Sequence, residues 1–166
     1  MFLFLASTLF VFGPSCGGKS TLSKALVQQL GPSWTYLDRD RLIENGLCIE
    51  ENADEMIEER ILSFQSKDQN VVVDAQIPWR AQKNKDELYV LVYAPLAELL
   101  SRDAKRTARL RRSPERARYA RLYVENTFAE VFKAPIRLDF QYDLVLDSSQ
   151  YSIDAATKQV LSLLSQ

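Results

Sequence analysis

The sequence predicts a three-layer α/β/α fold, a parallel sheet of five strands with helices on both faces, built as one unit over residues 1–166. Three observations carry this. Short apolar runs alternate with segments of helical periodicity along the whole chain, a pattern that requires parallel strands joined by right-handed helical crossovers. The runs are continuously apolar rather than alternating, as strands covered on both faces must be. The 166 residues suffice for one core but not for two of ordinary size, and no repeat or linker-like stretch divides them.

Each element has its own signal. Met1 to Phe12 is almost wholly apolar. A signal peptide would read similarly, but no Lys or Arg precedes Lys19 and no small-residue cleavage site follows, so the expectation is a buried strand. The run is also too short to span a bilayer. Leu22, Ala25, Leu26 and Leu30 fall at helical spacing, and Gly31-Pro32 ends that helix. Trp34 to Leu37 is a short strand running into Asp38-Arg39-Asp40. Asn52-Ala-Asp-Glu55 has the form of a capping box, opening a helix to about Phe64. Val71 to Val73 is a β-branched strand ending in Asp74, and Leu88 to Tyr93 is another. Pro95 suits the first position of a following helix, and Ser113-Pro114-Glu115 starts one that runs to about Phe132. Tyr142 to Leu146 is the fifth strand, and Ile153 to Leu164 the last helix.

Composition removes whole classes of chemistry. With no histidine, imidazole acid–base catalysis and His-ligated metals are excluded. Cys16 and Cys48 form neither a disulfide framework nor a CxxC pair, which fits a reducing cytoplasm. The net charge of −1 exerts no overall pull toward nucleic acid or membrane. Charge is nonetheless uneven. Asp38 to Asp68 holds ten acidic and four basic residues, while Ser101 to Arg121 holds nine basic and two acidic. Arg111, Arg112, Arg116, Arg118 and Arg121 read first as a solvated helix face. The secondary reading is a nucleic-acid surface on which Tyr119 and Tyr123, four apart, would stack.

One motif carries the chemistry. Gly13-Pro14-Ser15-Cys16-Gly17-Gly18-Lys19-Ser20, followed by Thr21, matches G-x-x-x-x-G-K-[ST] between a strand and a helix. Glycines allow backbone N–H groups to curl into a nest around phosphates, and the helix N-terminus adds its positive dipole end. The expected ligand is ATP, with Lys19 on the β- and γ-phosphates and the Ser20 hydroxyl on Mg²⁺. A chance glycine turn is the plain alternative, and the correct flanking elements speak against it. Cys16, near the helix start, is a candidate for oxidation, although this loop position tolerates many residues.

A GTPase would require Asp-x-x-Gly and Asn-Lys-x-Asp; Asp74-Ala-Gln-Ile lacks the glycine, and Asn84-Lys-Asp-Glu87 ends in Glu and precedes a strand. A small-molecule kinase requires a carboxylate at the acceptor hydroxyl and cations over the transferred group. Asp40, past the second strand, is placed for the first task. Arg106 and Arg109 are expected between two helices, in a lid over residues 106–114. Asp38 or Asp40 also has to be weighed as a helix N-cap. Asp74 is either a strand-end turn residue or an outer-sphere metal or substrate ligand. Trp79 and Arg80 either line the acceptor pocket or pack a loop. The expected partner is a small hydroxyl-bearing molecule, with no membrane role, and the oligomeric state is left open.

These residues together resemble the chloramphenicol phosphotransferase-like small P-loop kinases. Trp34-Thr-Tyr-Leu-Asp38-Arg39-Asp40-Arg-Leu-Ile-Glu44 is similar to the family segment in which Asp-x-Leu-Ile-Glu carries the proposed base, which assigns that role to Asp40. Arg102, Arg106 and Arg109 match the spacing of the family's lid arginines, and Tyr142-Asp-Leu-Val-Leu-Asp-Ser148 is similar to its last strand. The resemblance implies a nucleoside-kinase-like P-loop fold with strand order 2-3-1-4-5, an Arg-rich lid and transfer from ATP to an alcohol. Glu50 to Arg80, which would build much of the acceptor pocket, shows no clear likeness to the chloramphenicol enzyme, so the acceptor stays open.

Overall fold

The computed structural model describes residues 6–80, 83–133 and 142–165. Five strands, β1 (Thr8–Phe12), β2 (Trp34–Asp38), β3 (Asn70–Asp74), β4 (Glu87–Tyr93) and β5 (Leu144–Asp147), form one sheet in the order β2-β3-β1-β4-β5. Every pairing is parallel. The helices are α1 (Lys19–Leu30), α2 (Arg39–Glu44), α3 (Ala53–Gln65), α4 (Leu96–Leu110), α5 (Pro114–Lys133) and α6 (Ile153–Leu164), with a 3₁₀ turn at Glu50–Asn52.

Strand alternation sorts β1 between two cores. Leu9 and Val11 pack with Val72, Val90 and Val92 against Leu22 and Leu26 of α1 and Val160 and Leu164 of α6. Phe10 and Phe12 point the other way, to Ile57 and Ile61 of α3 and Val131 of α5. Their rings stack at 5.5 Å and take Tyr89 edge-on at 4.9 and 5.1 Å. Each such fully buried side chain stabilises the sheet by about 1.5–3 kcal/mol, so the central strand anchors the loop that follows it.

Register brings the acidic strand ends to one edge. Asp38 lies opposite Asp74, Asp74 opposite Val11, and Tyr93 opposite Asp147. This is the carboxyl edge, where ligands of open α/β sheets bind.

Local departures from expectation have physical causes. β1 begins at Thr8, and the start of the expected run lies outside the described residues. Asn52 does not cap α3 with its side chain; it accepts from the Ile49 N–H at 2.9 Å and closes the 3₁₀ turn instead. Pro95 precedes α4 by one position, its carbonyl accepting from Glu98 and Leu99 N–H at 2.9 and 3.1 Å. Ser113 caps α5 as expected, accepting from the Arg116 and Ala117 N–H groups. β5 is Leu144–Asp147, with Tyr142 just before it against Phe12 at 6.3 Å. The segment 106–114 is not a free connection: residues 106–110 complete α4, and only a tight turn at Arg111, φ 49°, separates it from α5.

Candidate active site

The loop between β1 and α1 is shaped by steric necessity. Gly13 has φ 145°, and a Cβ there would stand 1.9 Å from the Val92 carbonyl oxygen of β4. A Cβ on Gly17 would lie 2.9 Å from the Pro14 oxygen and 3.0 Å from that of Val92. Cys16 and Gly18 also have positive φ, 62° and 103°, and such reversals of hand build anion-binding nests. The Ser15 N–H is held by Thr127 Oγ1 of α5 at 3.0 Å, which ties the loop to that helix. The first N–H groups of α1 lack intrahelical acceptors, leaving donors and the dipole end for an anion.

Beneath the loop lies a compact ionic cluster. Lys19 is 7% exposed, and its Nζ donates to the Pro14 carbonyl at 3.2 Å and stands 3.9 Å from Asp74. Asp74, 4% exposed, accepts from Ser20 Oγ at 2.6 Å and from the Tyr36 hydroxyl at 3.2 Å. Burial holds its carboxyl above the ordinary range, while Lys19 and the Ser20 hydroxyl pull the other way. Tyr36 also reaches Asp38 at 2.9 Å; burial and then the Asp74 charge push its phenol far up, so it stays a donor. Ser20 and Asp74 thus present adjoining hard oxygen ligands, the donor type that Mg²⁺ takes.

Asp38 and Asp40 differ in their place on α2. Asp38 is the N-cap of α2, accepting from the Arg41 N–H at 3.2 Å. Asp40, in the first turn, has no ion-pair partner among the described residues and faces a cleft of about 650 Å³ that Asp38 also lines, together with loop residues 15–21, Lys24, Arg41, Glu44, Arg102, Arg106 and Arg109. Burial raises its carboxyl, Lys19 opposes this, and Asp38 adds to the rise. Gly13 and Pro14 do not line this cleft.

The arginines divide by task. Arg106 and Arg109 stand on the last turns of α4 rather than between helices, and among the described residues neither has an ion-pair partner. Arg102, one turn earlier, is a clamp. It donates to Ser148 Oγ and the Ser148 carbonyl at 2.8 and 3.0 Å and to the Cys16 carbonyl at 3.3 Å, fastening the loop to the segment after β5. Arg112, expected on a solvated face, is half-buried and pairs with buried Asp103 at 3.1 Å, closing the α4–α5 turn.

Of two further recesses among the described residues, the smaller shares Gly18, Thr21 and Arg102 with the first. The larger, of about 560 Å³, lies between Arg39, Glu50 and Asp54, the post-β3 loop from Gln76 to Trp79, and Tyr123, Asn126, Thr127 and Glu130 of α5. Tyr123 couples it to the first cleft: burial, then the charges of Asp40 and Glu50, push its phenol up to about 12. Trp79 forms part of this wall, its indole N–H donating to Glu58 at 2.7 Å. Arg80 does not line the recess and is paired with Glu58 and Glu87. The other recess, about 240 Å³, lies beyond Gly18 and Thr21, between Arg102, Ser148, Tyr151 and Ile153.

Sequence reasoning missed Tyr36, Lys24 and Tyr151. Lys24 was within reach, since it follows Ser20 and Thr21 by four and three positions on one helix face. Tyr36 lies in the segment Trp34 to Glu44 but carries no signal of its own there, and Tyr151 belongs to no motif.

The sequence matches no protein-family model and no curated protein. Solved structures are similar in fold. A shikimate kinase from Acinetobacter baumannii in complex with shikimate has a TM-score of 0.59 at 16% identity, covering 95% of this chain and 92% of its own. A gluconokinase from Sinorhizobium meliloti 1021 has a TM-score of 0.58 at 17% identity, covering 97% and 92%. A chain of the Pnkp1/Rnl/Hen1 RNA repair complex has a TM-score of 0.51 at 18% identity; 78% of this chain is covered, and it spans only 47% of that one. The fold is therefore that of the nucleoside-kinase-like P-loop kinases. Within that class the likeness is to small shikimate- and gluconokinase-type structures, while the chloramphenicol phosphotransferase resemblance rests on the sequence segments alone.

Proposed function

We propose that this protein is an ATP-dependent phosphotransferase that moves the γ-phosphoryl group onto a hydroxyl of a small molecule. The observation that carries the reading is the position of Asp40. It is a carboxylate between the cationic cleft around Lys19 and the recess walled by Trp79 and Tyr123.

Loop residues 13–21 enclose the triphosphate, with Lys19 as the point charge on its terminal groups. Magnesium bound there would spread the phosphate charge, with Ser20 as ligand and Asp74 behind it. The recess between Arg102 and Tyr151 receives the adenine end. Asp40 orients the acceptor hydroxyl and takes its proton as the new O–P bond forms and the bond to the ADP oxygen breaks. Arg106 and Arg109 neutralise the charge in flight, and residues 106–114 act as the lid that brings them down. Trp79 contacts the acceptor, and Asp74 acts through metal and hydroxyl rather than on the acceptor. Arg80, held by two carboxylates, braces the wall. The chloramphenicol phosphotransferase resemblance assigns Asp40 the same duty without identifying the acceptor. Both cysteines are unbridged, consistent with a cytoplasmic setting, and no helix among the described residues is long and apolar enough to cross a membrane.

The test is a screen of hydroxylated metabolites, antibiotics and nucleosides with γ-labelled ATP. Label should move to an organic acceptor in the parent and not in Lys19→Ala; label released only as inorganic phosphate across the screen contradicts the proposal. A second reading has one observation behind it: Tyr119 is 67% exposed beside exposed Arg116 and Arg118. A gel shift of RNA that weakens steeply with salt and survives Asp40→Asn would favour it.

A further inference from the structure

The recess beside Asp40 is charged in the opposite sense to the phosphate cleft. Its wall holds three carboxylates, Glu50, Asp54 and Glu130, against the single guanidinium of Arg39. That guanidinium is already committed: its side chain is 13% exposed, with Nε on Asp54 at 2.7 Å and Nη1 on Glu50 at 2.8 Å. Arg80, the nearest cation along the post-β3 loop, is likewise taken by Glu58 and Glu87. Glu130, exposed on α5, has no ion-pair partner among the described residues. Among the described residues, an entering carboxylate or phosphate would therefore meet an excess of negative charge and no free cation. An ammonium would meet carboxylates and the rings of Trp79 and Tyr123, which attract cations over their faces. Asn126 adds an amide suited to hydroxyls, while the buried Thr127 hydroxyl is already engaged by the Ser15 N–H and the Val124 carbonyl.

Resting on the phosphotransferase reading above, we infer that the acceptor is a hydroxyl compound carrying a protonated amine, an amino sugar or amino alcohol in class. Its ammonium lies among Glu50, Asp54 and Glu130 and its reacting hydroxyl at Asp40. The hydroxyl oxygen bonds to the γ-phosphorus, ADP leaves with the electrons of the broken P–O bond, and Asp40 takes the hydroxyl proton. The ammonium is a handle and keeps its protons. Like-charge juxtaposition across such a wall is what rejects anionic acceptors.

Trp79 provides the readout, because the other tryptophan, Trp34, is 3% exposed and is removed as Trp34→Phe. Glucosamine, glucose and gluconate, one carbon skeleton with three charges, are titrated into this protein at neutral pH and low salt while Trp79 fluorescence is followed. Glucosamine should bind on the order of tenfold tighter than gluconate, with glucose between, and Glu130→Gln should narrow the gap. In parallel, caesium should quench Trp79 more effectively than iodide. Gluconate binding as tightly as glucosamine, no saturable glucosamine binding, iodide quenching at least equal to caesium, or a gap untouched by Glu130→Gln each overturns the inference. Lys19-dependent binding of a fluorescent ATP analogue to the same protein separates the two claims. Its absence defeats the phosphotransferase reading, whereas its presence with gluconate preferred defeats only the cationic acceptor.

Discussion

Gly13→Ala tests the loop where its geometry is least forgiving. The added Cβ would sit 1.9 Å from the Val92 oxygen and 3.0 Å from the Val92 carbonyl carbon, and Cβ contacts under 3.0 Å are essentially never seen. The end of β1 and the strand β4 must part by more than an ångström, or the loop must re-form. The residue would also hold φ 145°, which alanine rarely adopts. Backbone strain and overpacking together come to about 2–6 kcal/mol. In a domain of this size each kcal/mol lowers Tm by about 2–4 °C, so a fall of about 4–24 °C is expected. Displacement of the phosphate donors by about 1 Å should cost roughly a hundredfold in turnover. Gly46→Ala is the control: it has φ 67° but nothing within 4 Å of the added Cβ, and so carries the strain without the clash. It should lower Tm by only a few degrees, about 1–2 kcal/mol, and leave ATP turnover intact. Calorimetry and ADP release measure both. A Gly13→Ala protein as stable and active as Gly46→Ala would refute the steric argument.

Other consequences follow from charge. The Asp74 carboxyl is held above its ordinary range by burial, so between that range and the raised value the folded state keeps a proton that the unfolded chain has released. Folding stability therefore declines as pH rises from the ordinary carboxylate range through the raised value. Ligand-free Asp74→Asn should melt above the parent at neutral pH, with the difference shrinking in acid, and should lose Mg²⁺-dependent turnover. Because Asp40 must be ionised to accept a proton and burial raises it, kcat/KM should fall on the acid side at a pH above the ordinary aspartate value of about 3.9. A pH–rate profile with no acid limb above that value would contradict the assignment. Arg102→Ala removes three hydrogen bonds between α4, the loop and Ser148, and should raise KM for ATP about tenfold or more with a smaller effect on kcat.

The fold was legible because its signals are strong and local. Buried parallel strands leave unbroken apolar runs such as Val71–Val73, and a nest needs glycine where Gly13 and Gly18 turn to positive φ. The carboxylate pair was legible only in part: residue types leave Asp38 and Asp40 equal, the family-like segment points to Asp40, and the structure adds the cap bond that Asp38 accepts from the Arg41 N–H. Arginine tasks were not legible, because partners distant in sequence decide them. Arg102 finds Ser148 across 46 positions, Arg112 folds back on Asp103, and Arg80 is claimed by Glu58. The recess beside Asp40 left no motif, since Arg39, Glu50, Trp79 and Glu130 arrive from separate parts of the chain.

Asp40→Asn is the most direct measurement, read as two numbers on one protein: affinity for Mg²⁺-ATP, and label transferred from γ-labelled ATP to the acceptor in a single turnover. Asparagine keeps the size of the side chain and removes its capacity to take a proton. ATP affinity should stay within about twofold of the parent while transfer falls by about 10²–10⁴. Transfer at the parental rate, or affinity and transfer lost together, would contradict a carboxylate poised between the phosphates and the acceptor hydroxyl.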